Sequence, residues 1–257
     1  MIGTLLGAYL SILSAAFAAP TAEPCTRDFL KTQAAKYVAA QVAGTLGELA
    51  TSSVTYTQDF KPATLGTGLL AKPLKIDFNR STYDTTQCAT YTEVIAASST
   101  PPYVLGTQMR FTDGVLSKME TIATTTGDWL FNPSGTLKYS QQEAWTEIPE
   151  DKRDTRAVIQ AAGDAYLDLF NDKTVKVPWG NPCARLEGGS YIQPSCNVGV
   201  PSGLKMTNRR YVVDEVLGTV DIFFTFGGQE PDSHQFRVEN GKLRYVHTLT
   251  VMKSKST

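Results

Sequence analysis

Val238-Glu-Asn-Gly-Lys-Leu243, near the end of the chain, reads as the bend of a β-hairpin, and Phe111-Thr-Asp-Gly-Val-Leu116 reads as the same bend met earlier. Asn240-Gly241 is a strong hairpin signal, because both residues tolerate the positive φ angles of a tight turn. Working outward, His234 to Val238 and Lys242 to Val251 alternate as strands around that turn, and Tyr103 to Phe111 and Val115 to Thr124 do so around Gly114. Upstream, Arg210 to Leu217 and Thr219 to Phe226 flank Gly218, and Leu74 to Phe78 and Tyr91 to Ala96 hold the matching places in the first half. Each set of strands follows a helical pattern. Leu30, Ala34, Tyr37 and Val38 share a face in the first, and Val158, Ala162, Ala165 and Leu169 in the second. Gln33-Ala34-Ala35 recurs as Gln160-Ala161-Ala162 at the same offset as the hairpin bends, and Leu74-Lys75…Asn79-Arg80 recurs as Leu204-Lys205…Asn208-Arg209 at nearly that offset. Three matches in one order predict an internal duplication. The expected fold class is α+β: two tandem helix-plus-curved-antiparallel-sheet units, spanning 19–148 and 149–257, each a cone with an open mouth. The charged segment Glu150 to Asp154 reads as a solvated helix start between them.

With 42% hydrophobic and 19% charged residues over 257 positions, a packed core is expected rather than disorder. The net charge of −1 and the lack of any block of like charges leave no basic stripe for phosphates, which argues against nucleic acid and against anionic membrane surfaces.

Residues 1–18 are free of charged side chains, rich in Leu, Ile, Ala and Phe, and end in Ala16-Phe17-Ala18. They read as a signal peptide, which implies the secretory pathway, an extracellular destination and no membrane association after removal. Four cysteines, Cys25, Cys88, Cys183 and Cys196, fit a disulfide-bonded secreted chain; pairing Cys183 with Cys196 across a short glycine-containing loop leaves Cys25 with Cys88. Asn79-Arg80-Ser81 is an N-glycosylation sequon, so a glycoprotein is expected.

Lys72-Pro-Leu-Lys-Ile-Asp77, Tyr83-Asp84-Thr-Thr-Gln-Cys88, Gly106-Thr-Gln108, Gly127-Asp-Trp129, Pro149-Glu-Asp-Lys-Arg153, Pro178-Trp-Gly180, Cys183-Ala-Arg-Leu-Glu-Gly188 and Asn208-Arg-Arg-Tyr211 run across nearly the whole mature chain. Together they resemble a family of fungal secreted proteins of undefined function. That family looks like tandem copies of the nuclear-transport-factor-2-like fold, which also hosts SnoaL-like cyclases and ketosteroid isomerases. A further likeness is to hetero-Diels–Alderases of fungal tropolone–sesquiterpene secondary metabolism, which are cofactor-free cyclases of similar size. What the resemblance implies is an apolar pocket for a hydrophobic intermediate.

No Gly-x-Ser-x-Gly elbow, His-Glu-x-x-His pair, Walker loop or dinucleotide fingerprint is present. No metal ligand spacing is visible, and neither a metal nor a cofactor is expected. His247 alternates with Leu243, Tyr245, Leu249 and Val251 and is expected inside the second cone, with Glu120 as its counterpart in the first. Arg80 continues the face of Leu74, Ile76 and Phe78, with Asp84 as its expected partner. His234, beside Pro231-Asp-Ser, reads as a surface residue, and Asp164 and Asp168 as a solvated helix face. A pericyclic ring closure needs preorganised partners and hydrogen-bond donors where charge develops. The expected donors are Arg80, Tyr83, Arg209, Tyr211 and His247, with Trp129, Tyr245 and Glu120 contacting substrate. The rival expectation is a secreted binding or host-interaction protein that carries a small hydrophobic ligand unchanged. The fold class also suggests a homodimer formed by pairing sheets. Secretion from a eukaryotic host is expected to give a chain whose mass falls by one N-glycan on enzymatic deglycosylation, and Asn79→Gln is expected to abolish that shift.

Overall fold

The computed structural model describes residues 25–49 and 54–252; the signal peptide expected over 1–18 lies outside them. The first unit runs α1 (Arg27–Ala43), β1 (Thr55–Gln58), β2 (Lys61–Pro62), β3 (Phe78–Asp84), β4 (Ala89–Ala96), β5 (Tyr103–Thr112) and β6 (Val115–Thr124). A short helix, α2 (Pro133–Ser140), precedes the second unit. That unit runs α3 (Arg156–Asp168), β7 (Trp179–Glu187), β8 (Ser190–Ile192), β9 (Thr207–Asp214), β10 (Thr219–Phe226), β11 (Glu230–Glu239) and β12 (Lys242–Thr250). The strands form two six-stranded sheets, ordered β2-β1-β6-β5-β4-β3 and β8-β7-β12-β11-β10-β9, which is one topology used twice. In each, the first long-range pairing is parallel, β1 with β6 and β7 with β12, and the rest is antiparallel. The fold is thus α+β in two tandem units.

The hairpin bends form for the reason the sequence suggests. Asp113 and Gly114 sit at φ 51° and 75°, and Asn240 and Gly241 at 52° and 68°, so both bends use two consecutive left-handed residues. A register shift follows at the same place in both, between Arg110 and Phe111 and between Arg237 and Val238. The strand expected over Leu74 to Phe78 begins instead at Phe78, because the Leu74 N–H donates to the carbonyl of Gln41 on α1 rather than to a strand. Disulfides Cys25–Cys88 and Cys183–Cys196 are both present. Asn79 is exposed on the edge strand β3.

The helices match in a register that the Gln-Ala-Ala coincidence misses by two residues. Thr26 and Thr155 are the N-caps, each accepting a hydrogen bond from the backbone three residues on. From those caps Leu30, Ala34 and Tyr37 correspond to Ile159, Gly163 and Tyr166, and all six are buried. Val158, expected on the inner face of the second helix, is exposed. Gly163 marks the closest approach of α3 to its sheet, since a Cβ there would lie 2.9 Å from Ile222 Cδ1.

The faces turned away from α1 and α3 pack against each other. Tyr91, Ile95 and Ile122 of the first sheet share an apolar cluster with Val212, Phe223 and Leu249 of the second. Flanking it, the units exchange ion pairs. Asp84, the last residue of β3, receives both terminal nitrogens of Arg156, which opens α3, at 2.8 and 2.7 Å. Asp214, the last residue of β9, receives Arg27, which opens α1, at 2.8 Å. The exchange continues in the backbone, where Val213 N–H donates to Asp84 and Tyr83 N–H to Asp214, each at 2.9 Å. Both carboxylates are almost wholly buried. Removing one partner of such a pair strands the other, so Asp84→Ala is expected to lower unfolding free energy by about 3–5 kcal/mol in urea denaturation. Surface substitutions such as Lys31→Ala are expected to stay within about 0.5 kcal/mol.

Candidate functional site

Strand alternation places Asp232, His234 and Phe236 of β11 and Val246, Thr248 and Thr250 of β12 on the α3 side of the second sheet. Between that face, the end of α3 and the segment after β8 lies a cavity of about 400 Å³. This is the size of a small-molecule site. Phe170, Leu204, Phe226 and Met252 supply apolar wall, and Trp129 stands at the rim, 47% exposed, with its indole N–H donating to Glu187 Oε1 at 2.8 Å.

The polar groups are few and converge. His234 Nδ1 lies 2.6 Å from Asp232 Oδ1, and Asp232 Oδ2 accepts from the Thr250 hydroxyl at 2.6 Å. Burial pushes the Asp232 carboxyl above the ordinary range, against the pull of His234. With Nδ1 engaged, Nε2 is the ring nitrogen left for a cavity occupant, the arrangement of an imidazole oriented for proton transfer. Arg185 reaches the Tyr166 hydroxyl at 3.4 Å and Glu187 at 3.4 Å. Burial raises the Tyr166 phenol to about 12, so it stays a donor. Arg185 Nε and Thr248 Oγ1 are buried without a hydrogen-bond partner. Arg80 Nε, Thr90 Oγ1 and the Gln235 amide are in the same state elsewhere; what sets this pair apart is that both residues line the cavity.

The same place in the first unit is filled. Strand register makes Leu105, Thr107, Thr121, Ala123 and Tyr56 the counterparts of Asp232, His234, Thr248, Thr250 and Arg185. There the Tyr37 hydroxyl meets Thr107 at 2.8 Å and Thr107 meets Thr121 at 3.0 Å, which closes the interior with neutral groups. One scaffold therefore carries a packed core in one copy and a polar-floored cavity in the other.

The donors expected from the sequence do not form one site. His247 is not on the cavity face. The register shift beside Leu243 turns Leu243 toward α3 and leaves Tyr245, His247 and Leu249 between the sheets. There His247 lies 3.0 Å from Glu93 Oε1 through Nδ1 and 2.6 Å from Glu143 Oε2 through Nε2. Arg80 pairs with Glu93 at 2.8 Å, not with Asp84, whose oxygens Arg156 occupies. Trp145 covers the cluster, 3.9 Å below the Arg80 guanidinium and stacked on Tyr245, and donates to Glu143 at 2.8 Å. Tyr83 lies under Arg27 at 4.9 Å. Arg209 binds Asp164 at 2.8 Å and also Asp168, and Tyr211 donates to Asp164, so the two carboxylates anchor β9 to α3 while Asp168 stays on the exposed face expected of it. Glu120 pairs with Lys118 and Arg210. Trp129 alone of the expected residues lines the cavity. His234, expected at the surface, is 3% exposed, because β11 begins at Glu230 and carries Asp232 and His234 into the sheet. The alternation Asp232-x-His234-x-Phe236 was the available signal; the turn-like Pro231 masked it.

Among the described residues no group of three or more His, Cys, Asp or Glu is placed to hold a metal ion, and no helix is long and apolar enough to cross a membrane. Fold and cavity together define a tandem α+β protein with a ligand-sized site in its second unit. Residues 152–250, that unit, are matched by the model of a domain of unknown function (DUF8021). No curated protein and no solved structure matches the chain.

The inter-sheet cluster has a pH signature. Burial opposes charge on His247, but Glu143 and Glu93 override it and raise its pKa from 6.5 to about 9. Burial likewise opposes charge on Glu93, but His247 and Arg80 bring it from 4.5 down to about 2. The histidine contribution is complete below pH 6.5 and lost as pH rises through about 9; the glutamate contribution is complete above pH 4.5 and lost as pH falls through about 2. This cluster's contribution to thermal stability is therefore expected to be fullest between pH 4.5 and 6.5. His247→Gln is expected to flatten the alkaline limb and spare Asp232–His234.

Proposed function

We propose that the second unit binds a small, largely apolar molecule bearing an oxygen and promotes its cyclisation or isomerisation without a cofactor. The observation that carries this reading is the pair of unpartnered buried donors, Arg185 Nε and Thr248 Oγ1, on the lining of a cavity with an aromatic and aliphatic wall and a polar floor. Water-sized gaps between apolar residues need no donors; a ligand oxygen does. An oxygen seated there gains hydrogen bonds as negative charge develops on it, while the aromatic wall holds the carbon skeleton folded. His234, steadied by Asp232, is placed to accept or return a proton at a neighbouring carbon or hydroxyl. A hetero-Diels–Alder closure of a secondary-metabolite intermediate would use the donors and the wall alone. A cone-shaped nuclear-transport-factor-2-like arrangement, with its mouth at Trp129, is the fold description this reading adopts.

Native mass spectrometry of the secreted chain, before and after denaturation, is expected to release a small molecule from the wild type and markedly less from a Leu204→Trp variant that fills the cavity. Incubation of that molecule's precursor with wild-type protein should yield a product of equal mass and new retention time, slowed at least about 100-fold in His234→Phe if proton transfer limits the step. Carriage without conversion would appear as release with no such product. An empty protein that also fails to retain any apolar probe would overturn the reading.

A further inference from the structure

The arginines of this fold make a comparison possible. Arg156 holds Asp84 through two contacts of 2.8 and 2.7 Å, and Arg80 holds Glu93 at 2.8 Å. Arg185 is more deeply placed than Arg156, with a side chain 7% exposed against 22%. Yet its contacts are the long ones, 3.4 Å to the Tyr166 hydroxyl and 3.4 Å to Glu187; its Nε has no partner, as is also true of Arg80, but Arg80 has a short ion pair and Arg185 has none. Glu187 is divided, since its other oxygen accepts from Trp129 at the rim. A buried guanidinium carries five donors in a fixed fork, and leaving it under-compensated is costly.

We infer that the cavity selects an anionic occupant, an apolar body ending in a carboxylate, with the carboxylate seated on Arg185 and Thr248. The inference rests on the cavity being a ligand site. A carboxylate matches the guanidinium fork through two parallel hydrogen bonds and can accept a third from the Thr248 hydroxyl. Glu187 and Glu230 also line the cavity, so the negative head has one favourable seat, against Arg185, and the apolar part lies along Phe170 and Phe226. The first unit, which has Tyr56 where the second has Arg185, has neither the cation nor the space.

The test is isothermal titration of the full secreted chain at pH 7 with 2-naphthoate and with 2-naphthylmethanol, probes of one shape and different charge. Wild type is expected to bind the carboxylate at least about tenfold more tightly than the alcohol, a difference in line with a charge-assisted hydrogen bond. Arg185→Met should abolish that preference by weakening the carboxylate far more than the alcohol, and Arg185→Lys should restore part of it. Thr248→Val, a near-isosteric change, should weaken the carboxylate several-fold and the alcohol less, and it serves if the arginine variant does not fold. Equal binding of both probes by wild type, or a carboxylate affinity indifferent to Arg185 and Thr248, would overturn the anionic assignment and leave the cavity as a ligand site. Binding of neither probe, nor of unsubstituted naphthalene, would overturn both readings.

Discussion

Two carboxylates buried between two sheets set the terms of this structure. Asp84 and Asp214 close corresponding strands, and each receives the arginine that opens the other unit's helix. Carboxylates out of water persist only when paired and hydrogen-bonded. The pairing therefore ties strand end, helix start and both units into one arrangement. The apolar cluster of Tyr91, Phe223 and Leu249 supplies the burial, and the ion pairs select which sheet faces meet.

With the outer faces committed to each other, the inner faces are free to diverge. Tyr37, Thr107 and Thr121 close the first interior on itself, and its aliphatic neighbours fill what remains. In the second, Tyr166 stands at the position of Tyr37 but shares its hydroxyl with Arg185, and the histidine and aspartate of β11 replace a threonine and a leucine. A duplicated unit allows this asymmetry because one copy maintains a conventional core while the other tolerates buried polar groups, which destabilise unless matched. The charged cluster around His247 belongs to the first role. It ties Glu143 and Trp145, in the segment joining the units, onto the junction between the sheets.

Much of the scaffold was legible in short-range pattern. The two hairpin bends, the strands beside them, the helix ahead of each set and the pairing of four cysteines all follow from local chemistry: positive φ at Asn-Gly and Asp-Gly, alternation, helical periodicity and loop length. Strands β1, β2 and β8 were not legible because they are short, and β7 because Gly180, Asn181 and Pro182 interrupt its alternation. The second helix was legible as a helix, with Ala162 and Leu169 buried as expected, but Val158 is exposed and Ile159 covered, since the two are equally apolar and only the sheet decides between them.

What the sequence by itself determined is the duplicated helix-then-strands order, the disulfide framework and the alternation along each long strand away from its register shift. What tertiary structure alone decided is which side of each strand meets a helix and which meets the other sheet. Alternation assigns residues to two faces without naming either, and one register shift exchanges them. That is why Leu243 and His247, expected on one face, end on opposite sides of the second sheet, with His247 at the sheet junction, and why His234 passes from expected surface to cavity floor. The partners of Arg80, Asp84 and Arg185 follow the same rule, because an ion pair joins residues far apart in the chain and only the packing of the two sheets brings them within reach.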